Sequence, residues 1–164
     1  MTMENKDAII ELKSLIQLDI DATRAYLQAI EEINIKFIRD YLDDFRNDHE
    51  RHIYNLSPFV MELGDSPPEK SPDLKGFIIS GFIMIRSQTG TRGALNAMEL
   101  NEKLTNKKYA EACAKDFPQR ILSQIKINYQ DEQKHLEFIQ QQIKILTENP
   151  HYYEQARPDM TITD

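Results

Sequence analysis

Six side chains able to ligate a transition metal fall in two sets at matched spacing. Asp19, His49 and His52 form the first set and Glu102, Glu132 and His135 the second, each member 83 positions after its counterpart. Tyr26 and Tyr109 keep the same offset, seven residues beyond the lone acid of each set. The neighbours match in kind as well: Asp48 and Asp131 precede the paired ligands, and Arg51 and Lys134 lie inside them. Donors on a helix share a face only when they are three or four residues apart, a condition that His49/His52 and Glu132/His135 meet. Carboxylates gathered in a core cost several kcal/mol each if uncompensated. One or two divalent ions are the compensation that fits, and mixed oxygen and nitrogen donors suit iron, manganese or zinc rather than calcium or copper(I). A metal-free polar network that pairs imidazoles with carboxylates and fixes helix register would use the same residues.

The weight rests on where the matches fall, because bulk similarity between the halves is poor. Residues 9–60 set against 92–143 share six identical pairs, and three of them (Tyr26/Tyr109, Asp48/Asp131, His52/His135) belong to the constellation or adjoin it. Asp48 and Asp131 either hydrogen-bond a ligand imidazole or face solvent.

Positioning these donors requires helices. Glycine is scarce (5), tryptophan is absent, and Leu, Ile, Lys, Glu and Gln abound, which favours helix over sheet. Helix 1 is predicted from about Glu4 to Ile33, with Ile9, Leu12, Ile16, Asp19, Thr23, Tyr26 and Ile30 on one stripe. Helix 2 follows from about Ile35 to Leu63 and presents Ile38, Leu42, Phe45, His49, His52, Leu56 and Phe59, with Pro58 kinking it. The segment from Gly64 to Asp73 is a polar connection, and residues 74–86 read as a short apolar helix in a long crossover. Helix 3, from about Thr91 to Lys115, carries Leu95, Met98, Glu99, Glu102, Asn106, Tyr109 and Cys113. Asp116 is the expected N-cap of helix 4, with Pro118 in its first turn. That helix bears Ile121, Ile125, Asn128, Glu132, His135, Ile139 and Ile143. An all-α bundle over residues 1–147 and a polar C-terminal tail over 148–164 are expected, the tail either disordered or laid on a neighbouring surface.

Composition narrows the partners. A chain of 164 residues with 40% hydrophobic content fits one domain able to bury ~70% of its unfolded surface. The net charge of −7, from 27 acids against 20 bases, argues against a nucleic-acid partner. No apolar run approaches the ~20 residues of a membrane span. Cys113 is alone, and the N-terminus lacks a signal-peptide pattern, so a reducing cytoplasm is the expected location. A homodimer or higher homo-oligomer is expected.

The arrangement resembles the ferritin-like superfamily, the di-iron carboxylate bundles that include bacterioferritins and rubrerythrins. Leu18-Asp19-Ile20-Asp21-Ala22, Asp48-His49-Glu50-Arg51-His52 and Asn101-Glu102-Lys103-Leu104-Thr105-Asn106 are similar to segments of small stand-alone bacterial members. In that family helices 1 and 3 each supply a carboxylate, and helices 2 and 4 each supply Glu-x-x-His. The resemblance implies an up-down-down-up four-helix bundle with its crossover between helices 2 and 3. It implies Asp19 and Glu102 as terminal carboxylates, Glu132 as a bridging one, and His52 and His135 as the imidazole ligands of one or two iron ions, with manganese or zinc as alternatives. Two departures stand out: helix 2 reads His49-x-x-His52, and the helix 1 acid is the shorter Asp19. The centre is therefore mononuclear, asymmetric, or completed by another acid such as Glu99. Fe(II) oxidation by dioxygen or peroxide, or peroxide reduction under oxidative stress, is the implied chemistry. Tyr26 and Tyr109 then tune the metals, or else serve as hydrogen-bonded core aromatics. Without a Cys-x-x-Cys module, a peroxidase would need an external reductant. A non-catalytic scaffold bundle with a vestigial, metal-free polar core is the alternative.

Overall fold

The structure, a computed structural model, describes residues 3–69 and 90–156. Its elements are α1 (Asn5–Glu32), α2 (Lys36–Glu62), α3 (Gly90–Cys113), α4 (Gln119–Glu148) and a short α5 (Tyr152–Ala156). Every element among the described residues is a helix. The expected crossover helix at 74–86 and the end of the tail lie outside these residues. Helix α1 packs on α2 and α3, and α4 packs on α3 and α2, closing a ring of four helices around one axis.

The burial contains a seam that the expected stripes only partly follow. In α1 this seam runs Ala8, Leu12, Leu15, Asp19, Ala22, Tyr26 and Ala29, alternating steps of four and three, with Ile16, Ile20, Asp21 and Ala25 buried beside it. Ile9, Thr23 and Ile30 are half-buried at its edge. Such a repeat advances 3.5 residues per turn, keeping one seam on the axis, whereas repeated four-residue steps drift away from it. The small Ala8, Ala22 and Ala29 hold seam positions that a search for bulky apolar residues passes over. In α2 all seven expected residues are buried, because Ile38 to Phe59 already follow the four-three pattern. In α3 the seam runs through Leu95, Met98, Glu102, Thr105, Tyr109 and Ala112. Asn106 and Cys113, one step off it, are half-buried. In α4 it ends on Gln142 and Leu146 rather than Ile143.

Helix ends follow local chemistry. The α2 terminus is a Schellman motif: Gly64 adopts φ +96°, its N–H reaches Met61 O at 3.0 Å, and Asp65 N–H reaches Val60 O at 3.1 Å. Asp116 does not cap α4. Pro118 occupies that position with extended backbone and no side-chain cap, while Phe117 is buried. The Asp116 carbonyl instead accepts from the Met3 N–H at 2.8 Å, tying the N-terminus to this end. Helix α2 runs through Pro58 to Glu62. Beyond α4, α5 folds back so that Tyr153, 4% exposed, enters the core and its hydroxyl donates to Gln142 Oε1. That bond explains how an amide holds the last α4 seam position.

The core is two apolar clusters separated by a polar layer. One, around Ala29, Ile38, Leu42, Leu95, Met98 and Ile139, fills the α5 end. The other, around Leu12, Ile16, Leu56, Val60, Ile121 and Ile125, fills the opposite end. Full burial of such aliphatic side chains stabilises by about 1.5–3 kcal/mol each, enough in sum to carry a polar layer between them. Tyr26 belongs to the first cluster and Tyr109 to the second.

Candidate metal centre

Seam position, not loop geometry, delivers each donor. Asp19 from α1, His49 and His52 from α2, Glu102 from α3, and Glu132 and His135 from α4 are all 0 or 1% exposed. They form two four-residue groups whose ligand atoms lie within 4.8 Å of one another: Asp19, His49, His52 and Glu132 (subsite A), and His49, Glu102, Glu132 and His135 (subsite B). His49 and Glu132 belong to both. Glu99 stays outside: 23% exposed at its side chain, it pairs with Lys103 at 2.7 Å and accepts from Gln140 at 3.0 Å.

The hydrogen bonds around the centre repeat the 83-residue symmetry across the helices. The Tyr26 hydroxyl donates to Glu102 Oε1 at 2.6 Å, and the Tyr109 hydroxyl donates to Asp19 Oδ2 at 2.7 Å. His52 Nε2 lies 3.4 Å from Asp131 Oδ2, and His135 Nε2 lies 3.0 Å from Asp48 Oδ2. Each imidazole thus turns one nitrogen outward to an aspartate of the facing helix, leaving Nδ1 to point inward. This carboxylate-to-imidazole arrangement fixes ring orientation and tautomer in metal sites. Phe45 stacks on His135 at 4.2 Å between ring centroids, restraining it further. The Asn106 side-chain amide donates to the carbonyls of Glu102 and Glu132, at 2.9 and 2.8 Å, locking the two ligand turns of α3 and α4 together. Sequence reasoning left the Asp48 and Asp131 roles open and gave none to Asn106 or to the ring face of Phe45. The shared offset was the signal for the aspartates; the other two had none.

Inside this shell six buried atoms have no hydrogen-bond partner: His49 Nε2, His52 Nδ1, Glu102 Oε2, both Glu132 oxygens and His135 Nδ1. His52 Nδ1 and Glu132 Oε1 lie only 3.0 Å apart, yet they are not aligned as a hydrogen bond. When the ring is neutral and Nε2–H is donated to Asp131, Nδ1 presents a lone pair to a carboxylate oxygen. Two acceptors at that distance repel unless a proton or a metal ion lies between them.

Electrostatics allow the proton as well as the ion. Burial opposes charge on His49, but the Glu132 carboxylate, with Asp19 and Glu102, raises its pKa to about 10. Burial likewise opposes charge on His52, and its proximity to Asp131, Asp19 and Glu132 raises it to about 11. Burial would raise Glu132, yet the imidazoles facing it, His49 foremost, hold it well below the usual carboxylate range. Glu102 is raised, by burial and then by the Glu132 charge. Both tyrosines are pushed well above their ordinary value, by burial and then by Glu102 for Tyr26 and Asp19 for Tyr109. They stay protonated and act as donors to the carboxylates. Each subsite offers two imidazoles and two carboxylates, a donor set that could hold a metal ion.

Among the described residues no helix is long and apolar enough to cross a membrane. Comparison with curated proteins found no match. A family model described as a domain of unknown function (DUF2383) matches residues 7–115, which include α2, α3, all but the first two residues of α1, and the candidate ligands Asp19, His49, His52 and Glu102. The match covers well over half of the chain, which therefore belongs to the DUF2383 family.

Proposed function

We propose that this protein is a ferritin-like bundle that binds one or two transition-metal ions in its polar layer, with Asp19, His49, His52 and Glu132 holding one ion and His49, Glu102, Glu132 and His135 the other. The observation that carries the reading is the set of six buried atoms without hydrogen-bond partners, all on residues of the two subsites. At about 1–3 kcal/mol for each unsatisfied buried group, their sum rivals the ~5–15 kcal/mol net stability of a whole domain. A bound cation removes that cost. Iron is the occupant favoured by the family resemblance, and manganese and zinc also suit the donor set.

An iron centre would supply electron transfer to dioxygen or peroxide. The chain's own residues would fix the ligands: Tyr26 and Tyr109 orient Glu102 and Asp19, and Asp48 and Asp131 orient His135 and His52. Metal analysis of protein grown in minimal medium with iron, manganese or zinc tests the binding. Substoichiometric metal below about a tenth of an equivalent, unchanged in Glu132→Ala/His135→Ala, overturns it. For turnover, anaerobically loaded Fe(II) exposed to peroxide should oxidise faster than free Fe(II); equal rates leave binding alone.

A metal-free scaffold is the second reading, and one observation favours it. With His49 and His52 raised to about 10 and about 11, protonated imidazoles balance the buried carboxylates without an ion. The same metal analysis separates the two readings.

A further inference from the structure

We propose that Arg51 is a positioning residue that couples the two subsites, holding the outward nitrogens of both His52 and His135 through their aspartates and so setting the affinity of each subsite for a divalent transition metal. The proposal rests on the metal-binding reading. A continuous chain of contacts crosses from α2 to α4 and back. His52 Nε2 lies 3.4 Å from Asp131 Oδ2, which accepts from Arg51 Nη2 at 2.9 Å. Arg51 Nη1 donates to Asp48 Oδ1 at 2.5 Å, and the other Asp48 oxygen lies 3.0 Å from His135 Nε2.

The tyrosine and aspartate contacts of this shell obey the 83-residue symmetry, but the cations do not. Lys134, the counterpart of Arg51, reaches only Asp131 Oδ1 at 2.9 Å. A centre with approximate twofold character has a single position between its two aspartates. The planar guanidinium fork fills it with two N–H groups at once, which a point-like ammonium does not. The Arg51 side chain is 51% exposed, and exposed ion pairs add little stability. Its partners, however, are 25 and 15% exposed at Asp48 and Asp131, and what they hold is ring orientation. Pinned by Arg51, each aspartate accepts from Nε2–H and leaves Nδ1 facing the subsite. Loss of such a partner typically lowers metal affinity about 10–100-fold.

The test titrates the full-length protein with Co(II), reading affinity by chelator competition and coordination by visible absorbance. Asp19→Asn isolates subsite B and Glu102→Gln isolates subsite A. Arg51→Gln is expected to lower Co(II) affinity about tenfold or more in both backgrounds. Asp48→Asn is expected to do so only where subsite B remains. In an Asp48→Asn/Asp131→Asn background, Arg51→Gln should add nothing. The metal-free melting temperature should stay near wild type throughout the Arg51 series, which separates positioning from a general structural role. An Arg51→Gln chain with wild-type affinity at either subsite, or one whose effect persists in the double-asparagine background, overturns the coupling alone. A wild-type chain that takes up no Co(II) overturns the metal-binding reading and the coupling with it.

Discussion

Glu132→Gln should remove metal from both subsites at once, whereas Asp19→Asn should remove it from one. The Glu132 carboxylate divides its oxygens between the halves: Oε1 lies 3.0 Å from His52 Nδ1 and 3.4 Å from His49 Nδ1, and Oε2 lies 3.8 Å from His135 Nδ1. The amide is uncharged and presents one acceptor, so neither subsite keeps its shared anion. One ion at a hundred times its Kd stabilises the native state by about 2.7 kcal/mol, and two independent ions by about twice that. At ~2–4 °C per kcal/mol for a chain of this size, saturating metal should raise the wild-type Tm by roughly 10–20 °C. Asp19→Asn should retain about half of that rise, and Glu132→Gln almost none. Differential scanning fluorimetry with and without Co(II) or Zn(II) reads the rise within each variant, which cancels differences in metal-free stability. Far-UV circular dichroism confirms that each is helical. A full metal-dependent rise in Glu132→Gln, or a complete loss in Asp19→Asn with half retained in Glu132→Gln, refutes the two-subsite arrangement.

Three further outcomes follow from the same geometry. The folded pKa values of His49 and His52, about 10 and about 11, stand above the ordinary 6.5. Their contribution to metal-free stability is therefore fully present below about pH 6.5 and lost as pH rises through the folded values. The urea midpoint of the metal-free protein should fall between pH 6.5 and pH 10, and a midpoint that holds or rises across that range contradicts the assignment. His49→Glu restores the carboxylate of the Glu-x-x-His pattern, so ion competition should show preference moving from Zn(II) toward Fe(II); an unchanged ratio counts against His49 as a ligand. Phe45→Ala removes a core ring, 8% exposed, that stacks on His135. It should cost about 3–5 kcal/mol by chemical denaturation, and a loss under ~1 kcal/mol would mean that the ring does not pack as described.

Helix positions were legible because periodicity is a local property. The ends of α1 and α2 fall within a residue of expectation, and the α2 stripe from Ile38 to Phe59 was read whole. Apart from Leu15, missed beside Ile16, the seam positions absent from the expected stripes of α1 and α3 carry unremarkable residues. Alanine at 8, 22 and 29 gives no bulky apolar signal, and Thr105 and Gln142 give a polar one. Glu99 looked inward because it stands one four-residue step after Leu95, yet that step leaves the seam. Asp116 looked like a cap because of its chemistry, but the burial of Phe117 and the fixed backbone of Pro118 moved the helix start beyond it.

By itself the sequence determined that six donors in two matched sets belong to one polar layer of a helical bundle, since helical periodicity and the 83-residue offset are properties of the chain alone. Only the tertiary structure decided how they pair. Tyr26 reaches Glu102 rather than its own-helix Asp19, Asp131 reaches His52, and His49 and Glu132 stand between the halves. Spacing along a helix fixes which face a side chain occupies. Which atom meets which across the axis depends on how neighbouring helices are set against one another, and that follows from packing across all four seams at once.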